Sequence, residues 1–236
     1  MERSTANWVI IALPMHKLMN SKGTLHQYFI NNPTKRLHKW LHYFDIYEKH
    51  FDRFVNKSPT ILEIGVHGGG SLEMWKNYFG DRAKIIGIDI NPECKIHESE
   101  GIEIFIGSQD DTALLNSIKE KYNKFDIVID DGSHKMSHMK KTFLELYSSV
   151  QERGLYLVED THTCYSNKYE GGLRKPDSFI ELAKELVDHL NASYTKGEIP
   201  ISTFTTGTSS ISFYDSIIVF EKSPQGARQP LITKGM

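Results

Sequence analysis

Four acids and a histidine stand where two short apolar runs of the sequence stop. Asp130-Asp131-Gly132-Ser133-His134 follows Phe125-Asp126-Ile127-Val128-Ile129, and Glu159-Asp160 follows Gly154-Leu155-Tyr156-Leu157-Val158. Short β-branched runs of this kind read as buried parallel strands, whose carboxyl ends carry the chemistry of an α/β sheet. If the two strands are neighbours, about 4.8 Å apart, Asp130, Asp131, Glu159 and Asp160 meet in one small volume. Four carboxylates at that spacing repel one another unless a cation holds them. All-oxygen ligation selects a hard ion such as Mg2+, Mn2+ or Ca2+. Each segment also has a bland reading: Asp131 to Ser133 as a turn and helix cap, Glu159-Asp160 as a solvated loop end, and His134 as a structural hydrogen-bond donor. His134 and His138 have the i, i+4 spacing of zinc-binding helices, but Lys135-Met136-Ser137 between them lacks the glutamate of the metalloprotease motif.

A second chemical centre lies upstream. Glu63-Ile64-Gly65-Val66-His67-Gly68-Gly69-Gly70-Ser71 sits at a strand-to-helix turn, where glycines admit a ligand close to the backbone and free the helix N-terminal amides. The dinucleotide fingerprint fails because position 67 is His, and the phosphate-binding P-loop fails because Ser71, with no lysine, follows Gly70. Asp89 ends the next apolar run, Lys84 to Ile90, where a carboxylate can accept both hydroxyls of an adenosine ribose. A ligand with adenosine and no phosphates, S-adenosylmethionine above all, fits these features. The glycines as a plain turn, Asp89 as a helix cap, and Asp110 or Asp111 as the N-cap of the next helix are the structural alternatives.

The elements that position these groups alternate strand and helix, which predicts a doubly wound α/β sheet. Strands are expected at 60–64, 84–89, 103–106, 126–130 and 155–158, with helices at about 70–79, 111–122, 135–150 and 179–190. A polar loop, 161–177, holds Tyr165, Tyr169, Gly171 and Gly172 and reads either as a mobile lid or as an ordinary surface loop. His67 and His162 stand near the same edge as candidate substrate contacts. The two-residue alternation from Ile199 to Lys222 predicts an antiparallel β-hairpin turning on Asp215. Leu37 to Phe51 has helical apolar spacing and predicts an aromatic amphipathic helix that packs on the sheet edge, covers the substrate or supports a homo-oligomer. The expected division is a helical extension over 1–58, the catalytic domain over 59–223 and a flexible tail over 224–236.

A chain of 236 residues, 39% hydrophobic and 25% charged, suits one such domain with an appendage. The formal net charge of -2 gives no reason to expect nucleic acid or an anionic membrane as a partner. Cys94 and Cys164 make neither a CxxC pair nor a disulfide framework. The Trp8 to Pro14 run lacks the basic leader and length of a signal peptide, and no run approaches the ~20 apolar residues of a membrane span. A soluble, cytoplasmic protein is expected.

Taken together, Glu63-x-Gly65-x-x-x-Gly69, Asp89, Gly107-Ser108-Gln109-Asp110 and the terminal hairpin resemble the class I S-adenosylmethionine-dependent methyltransferases. The Asp131 to His134 and Val158-Glu159-Asp160 segments are similar to those of metal-dependent sugar O-methyltransferases acting on macrolides and rhamnosylated tetracenomycins. The likeness runs from about residue 35 to 222 and takes in Lys39 to Tyr43 and the Ser212 to Lys222 tail, but not the large N-terminal domain of the macrolide enzymes. It implies cofactor contacts from Glu63, Gly65, His67, Gly69, Ser71, Asp89, Ile90, Ser108, Gln109, Asp110 and Asp130. It implies Mg2+ held by Asp131, Glu159 and Asp160, and His134 as the base that deprotonates a sugar hydroxyl. Lys168, Arg174 and Lys175 suit a phosphate-like acceptor as an alternative, and a non-catalytic cofactor-binding protein is the reading from another class.

Overall fold

The computed structural model describes residues 24–32, 35–226 and 229–233; the Trp8 to Pro14 run and parts of the 31–35 and 225–236 segments lie outside them. Seven strands form a single sheet in the order β3-β2-β1-β4-β5-β7-β6. The first five, β1 (Thr60–Ile64), β2 (Lys84–Asp89), β3 (Ile102–Ile106), β4 (Phe125–Asp130) and β5 (Val150–Val158), are parallel. β7 (Ile218–Lys222) pairs antiparallel with β5, and β6 (Thr208–Phe213) antiparallel with β7. This is the expected doubly wound sheet with its terminal hairpin, and β4 and β5 are neighbours as the sequence requires.

Helices cover both faces because the buried strands alternate apolar side chains to each. Ile61, Ile85, Ile127 and Leu155 pack with α1 (Thr24–Asn31), α2 (Tyr43–Phe51) and α3 (Gly70–Phe79). Leu62, Ile86, Val128 and Tyr156 pack with α4 (Thr112–Tyr122), α5 (Met136–Leu146) and α6 (Phe179–Leu190). Asp111 caps α4, its carboxylate accepting from the Ala113 and Leu114 amides.

Three expectations need correction. The helix predicted over 37–51 begins only at Tyr43; the irregular stretch before it runs across the glycine turn, so close that a Cβ on Gly70 would lie 2.5 Å from the Arg36 carbonyl oxygen. The strand predicted to start near Ile199 is preceded by a short helix, α7 (Thr203–Gly207), set by a capping box in which Ser202 and Thr205 each bond the other's backbone. β5 starts at Val150 rather than Leu155: Phe125 pairs with Val150 and Ile127 with Leu155, so extra residues bulge out around Arg153, which has φ +66°. No helix among the described residues is long and apolar enough to cross a membrane.

Candidate active site

The carboxyl ends of β1, β2, β4 and β5 open into a cleft of about 590 Å³. At one end, Gly65 leaves β1 at φ +96°, and a Cβ there would lie 2.1 Å from the Asp131 carbonyl oxygen, so only glycine lets the β1 and β4 turns meet. Asp89 closes that turn from β2: its Oδ2 accepts from the Val66 and His67 amides at 2.8 and 2.9 Å, and its Oδ1 from the Asn91 amide at 2.9 Å. Burial opposes ionisation of Asp89, but these amide bonds outweigh it and hold the carboxyl below its ordinary pKa. The Ile90 side chain is 72% exposed in the cleft wall beside it, an apolar surface suited to a flat ring. Ser108 and Gln109 also line this end, as do His67 and Ser71.

The four acids do not share one volume, because strand alternation divides them. Asp130 turns to the α5 face, where it is buried, accepts from Gln109 Nε2 at 3.2 Å and Tyr156 hydroxyl at 3.3 Å, and is pushed by burial up to about 7. Glu159 turns to the opposite face, as does Glu63 of β1; both are buried there. Lys39 meets them. Its Nζ donates to both Glu159 oxygens at 2.9 and 2.8 Å and to Asp131 Oδ2 at 2.6 Å, and lies 3.7 Å from Glu63 Oε1. Burial alone would lower the pKa of this ammonium, yet Asp131, Glu159 and Glu63 raise it well above its ordinary value. Burial lifts Glu63 to about 7 against the pull of Lys39. Ser71 bonds the other Glu63 oxygen at 2.8 Å, which makes Glu63 a support beneath the glycine turn rather than part of the cleft wall.

Asp131, His134 and Asp160 converge at the cleft. One ligand atom from each lies within 4.8 Å of the others. His134 Nε2 is 3.8 Å from Asp131 Oδ1 and 3.6 Å from Asp160 Oδ2. His134 (φ +58°) and Asp160 (φ +53°) are both left-handed non-glycine residues, as is His67 (φ +47°), and such strain concentrates at functional sites. His138, by contrast, turns away to Ser133 Oγ at 3.0 Å and Asp110 Oδ2 at 3.5 Å, so the two histidines of the zinc reading do not converge. Asp110 therefore meets His138 and Ser108 rather than the cleft wall, and Gly69, the left-handed N-cap of α3, packs against His97.

The sequence allowed the 37–51 segment to cover the substrate but placed none of its side chains at the site. Arg36, His38, Lys39, Trp40 and Tyr43 line the cleft, all from the segment before β1. The available signal was Lys39 itself, a cation in an aromatic run, which must find carboxylates once buried. Tyr43 hydroxyl donates to Asp160 Oδ1 at 2.6 Å. His162 stands edge-on to Trp40, ring centroids 5.9 Å apart, with Nδ1 2.6 Å from Ser216 Oγ. The 161–177 loop is tied by short 3-10 turns, and Gly171 is there for close packing, since a Cβ would lie 2.3 Å from the Cys164 carbonyl oxygen. Lys168 lies over the Tyr169 ring, which stands nearly perpendicular to the His134 ring, centroids 6.1 Å apart.

No protein-family model matches the chain. It is 40% identical over 167 residues to the demethylmacrocin O-methyltransferase of Streptomyces fradiae, covering 64% of this chain and 41% of that protein. It is 34% identical over 196 residues to the 8-demethyl-8-alpha-L-rhamnosyl tetracenomycin-C 2'-O-methyltransferase of Streptomyces olivaceus, covering 78% and 51%. The solved MycE methyltransferase of the mycinamycin biosynthetic pathway, in complex with Mg, SAH and mycinamycin VI, matches with a TM-score of 0.73 at 30% identity, covering 85% of this chain and 53% of that one. The chain thus spans about half the length of these relatives. Within that span it carries the class I S-adenosylmethionine-dependent methyltransferase fold, and the proteins it is similar to there include macrolide and tetracenomycin O-methyltransferases.

Proposed function

We propose that the chain moves the methyl group of S-adenosylmethionine to a sugar hydroxyl, of a natural product or a surface polysaccharide precursor, with the help of Mg2+. The observation that carries this reading is the Asp131, His134 and Asp160 cluster, which opens into the same cleft as the Gly65 turn and Asp89. The donor set suits a hard divalent cation: two partly buried carboxylates each present an oxygen toward His134. Asp131 and Asp160 would hold the ion, and Glu159 joins them only by exchanging its two contacts with Lys39. Once bound, Mg2+ supplies positive charge that holds adjacent acceptor hydroxyls and favours their ionisation.

The chain's own residues do the rest. Asp89 orients the adenosyl ribose, Ile90 flanks the adenine, and Gly65 lets the donor approach the β1 turn. His134 Nε2, within 4 Å of Asp131 Oδ1 and Asp160 Oδ2, stands where it can receive the hydroxyl proton. The cleft would bring acceptor oxygen and methyl carbon together for in-line displacement. The same reading divides the chain into an extension over 1–58, a methyltransferase domain over 59–223 and a tail over 224–236, with the end of the extension serving as a wall of the domain's cleft.

Asp89→Asn tests the donor site. A hydrogen bond to a charged group contributes about 1.5–3 kcal/mol, so S-adenosylhomocysteine should bind roughly 10- to 100-fold more weakly by calorimetry. Unchanged affinity would remove Asp89 from the donor site and leave the adenosine assignment without its anchor.

A further inference from the structure

Each of the two carboxylates facing His134 is held by one oxygen and, among the described residues, accepts no hydrogen bond at the other. Asp131 Oδ2 accepts from Lys39, which leaves Oδ1 toward His134. Asp160 Oδ1 accepts from the Tyr43 hydroxyl at 2.6 Å, which leaves Oδ2 toward the same nitrogen. Both holders come from one short stretch of chain, four residues apart, far in sequence from the acids they hold. A carboxylate with no partner turns about its last bond; fixing one oxygen sets the direction of the other. Asp160 has special need of this, because its backbone is left-handed and it starts the loop that follows β5. The Tyr43 ring is fully buried and packs edge-on against Tyr47; of the two acceptors within reach of its hydroxyl, Asp160 Oδ1 at 2.6 Å is closer than the Ser216 carbonyl at 3.2 Å, so the shorter bond goes to Asp160.

We propose that Tyr43 is a positioning residue of the metal centre: by holding Asp160 Oδ1 it aims Oδ2 at the bound cation, as Lys39 does for Asp131. The inference rests on the metal site proposed above. It places an outer part of that site in the segment before β1, outside the strand-end motifs.

Mn2+ titrated into the full chain without cofactor, with free ion followed by electron paramagnetic resonance, tests it. Loss of a partner that orients a metal ligand costs 10- to 100-fold in affinity, so Tyr43→Phe should bind Mn2+ at least about tenfold more weakly than the parent. S-adenosylhomocysteine should bind both within about twofold, since its site is separate. Tyr214→Phe is the control. It removes a hydroxyl that bonds Lys49 and His50 near the other end of α2, and it should leave Mn2+ affinity at the parent value. Equal Mn2+ affinity in Tyr43→Phe and parent overturns the inference. So does a parallel fall in both tyrosine variants, which would assign the effect to a loosened helix. A parent that binds no Mn2+ overturns the underlying metal reading, and the inference with it.

Discussion

His134→Ala is expected to reduce turnover on a sugar acceptor by about 10²–10⁴-fold, the usual contribution of a positioned general base. S-adenosylmethionine affinity should stay within about twofold, because the imidazole faces the acid cluster rather than the Asp89 end of the cleft. His134 Nε2 stands within 4 Å of Asp131 Oδ1 and Asp160 Oδ2, the oxygens proposed to hold the cation, so on that reading it would meet the acceptor there. The check is paired: steady-state turnover with Mg2+ and an acceptor bearing adjacent hydroxyls, and calorimetry with the methyl donor alone. Equal losses in both would show that His134 supports the fold of the cleft and is not the base.

Lys39→Met is expected to destabilise the protein by about 3–5 kcal/mol, the cost of removing one partner of a buried ion pair. The side chain is 2% exposed and is the counter-ion of Glu159, of Asp131 and, at longer range, of Glu63. Methionine fills similar volume, so lost charge and not lost packing is tested. The penalty should grow with pH. Without Lys39 the buried glutamates hold protons more tightly in the folded chain than the ~4.3 of an unfolded glutamate, and Glu63 already stands near 7 with Lys39 present. Below about 7 both folded proteins hold extra protons and lose stability together as pH rises; above it the parent's Glu63 ionises beside Lys39 while the variant's glutamates keep their protons, so the gap from the parent is wider at about pH 8 than at about pH 5. Urea unfolding of both proteins at the two pH values measures this. A difference under about 1 kcal/mol at the higher pH would mean that Glu159 and Glu63 do not depend on Lys39.

Much of this site is legible in the sequence because buried parallel strands have a plain signature. β1, β2 and β4 read directly as β-branched runs, and Asp89, Asp131, His134 and Asp160 follow from where those runs stop. What the sequence hides is direction and distance. Adjacent acids look equivalent on paper, but the two-residue period of a strand sends Asp130 to α5 and Glu159 to Lys39. Lys39 reaches carboxylates 92 and 120 residues away, a pairing that no local pattern announces. The 37–51 segment shows helical spacing throughout, yet its first turns stay irregular because Lys39 and the Arg36 backbone are engaged by the acids and the glycine turn. Alternation near 199–207 is overridden by the Ser202 and Thr205 capping box, a local bond pattern that outcompetes a weak strand signal.

The central claim is that the cleft binds S-adenosylmethionine at the Gly65 and Asp89 end and uses the metal at the acceptor end. Calorimetric titration of S-adenosylmethionine into the protein, first with Mg2+ and then with EDTA, tests it most directly. Binding with Kd on the order of micromolar in both buffers is predicted, since none of the donor contacts needs the metal. No binding in either buffer would contradict the account, and binding abolished by EDTA would move the metal from the acceptor to the donor.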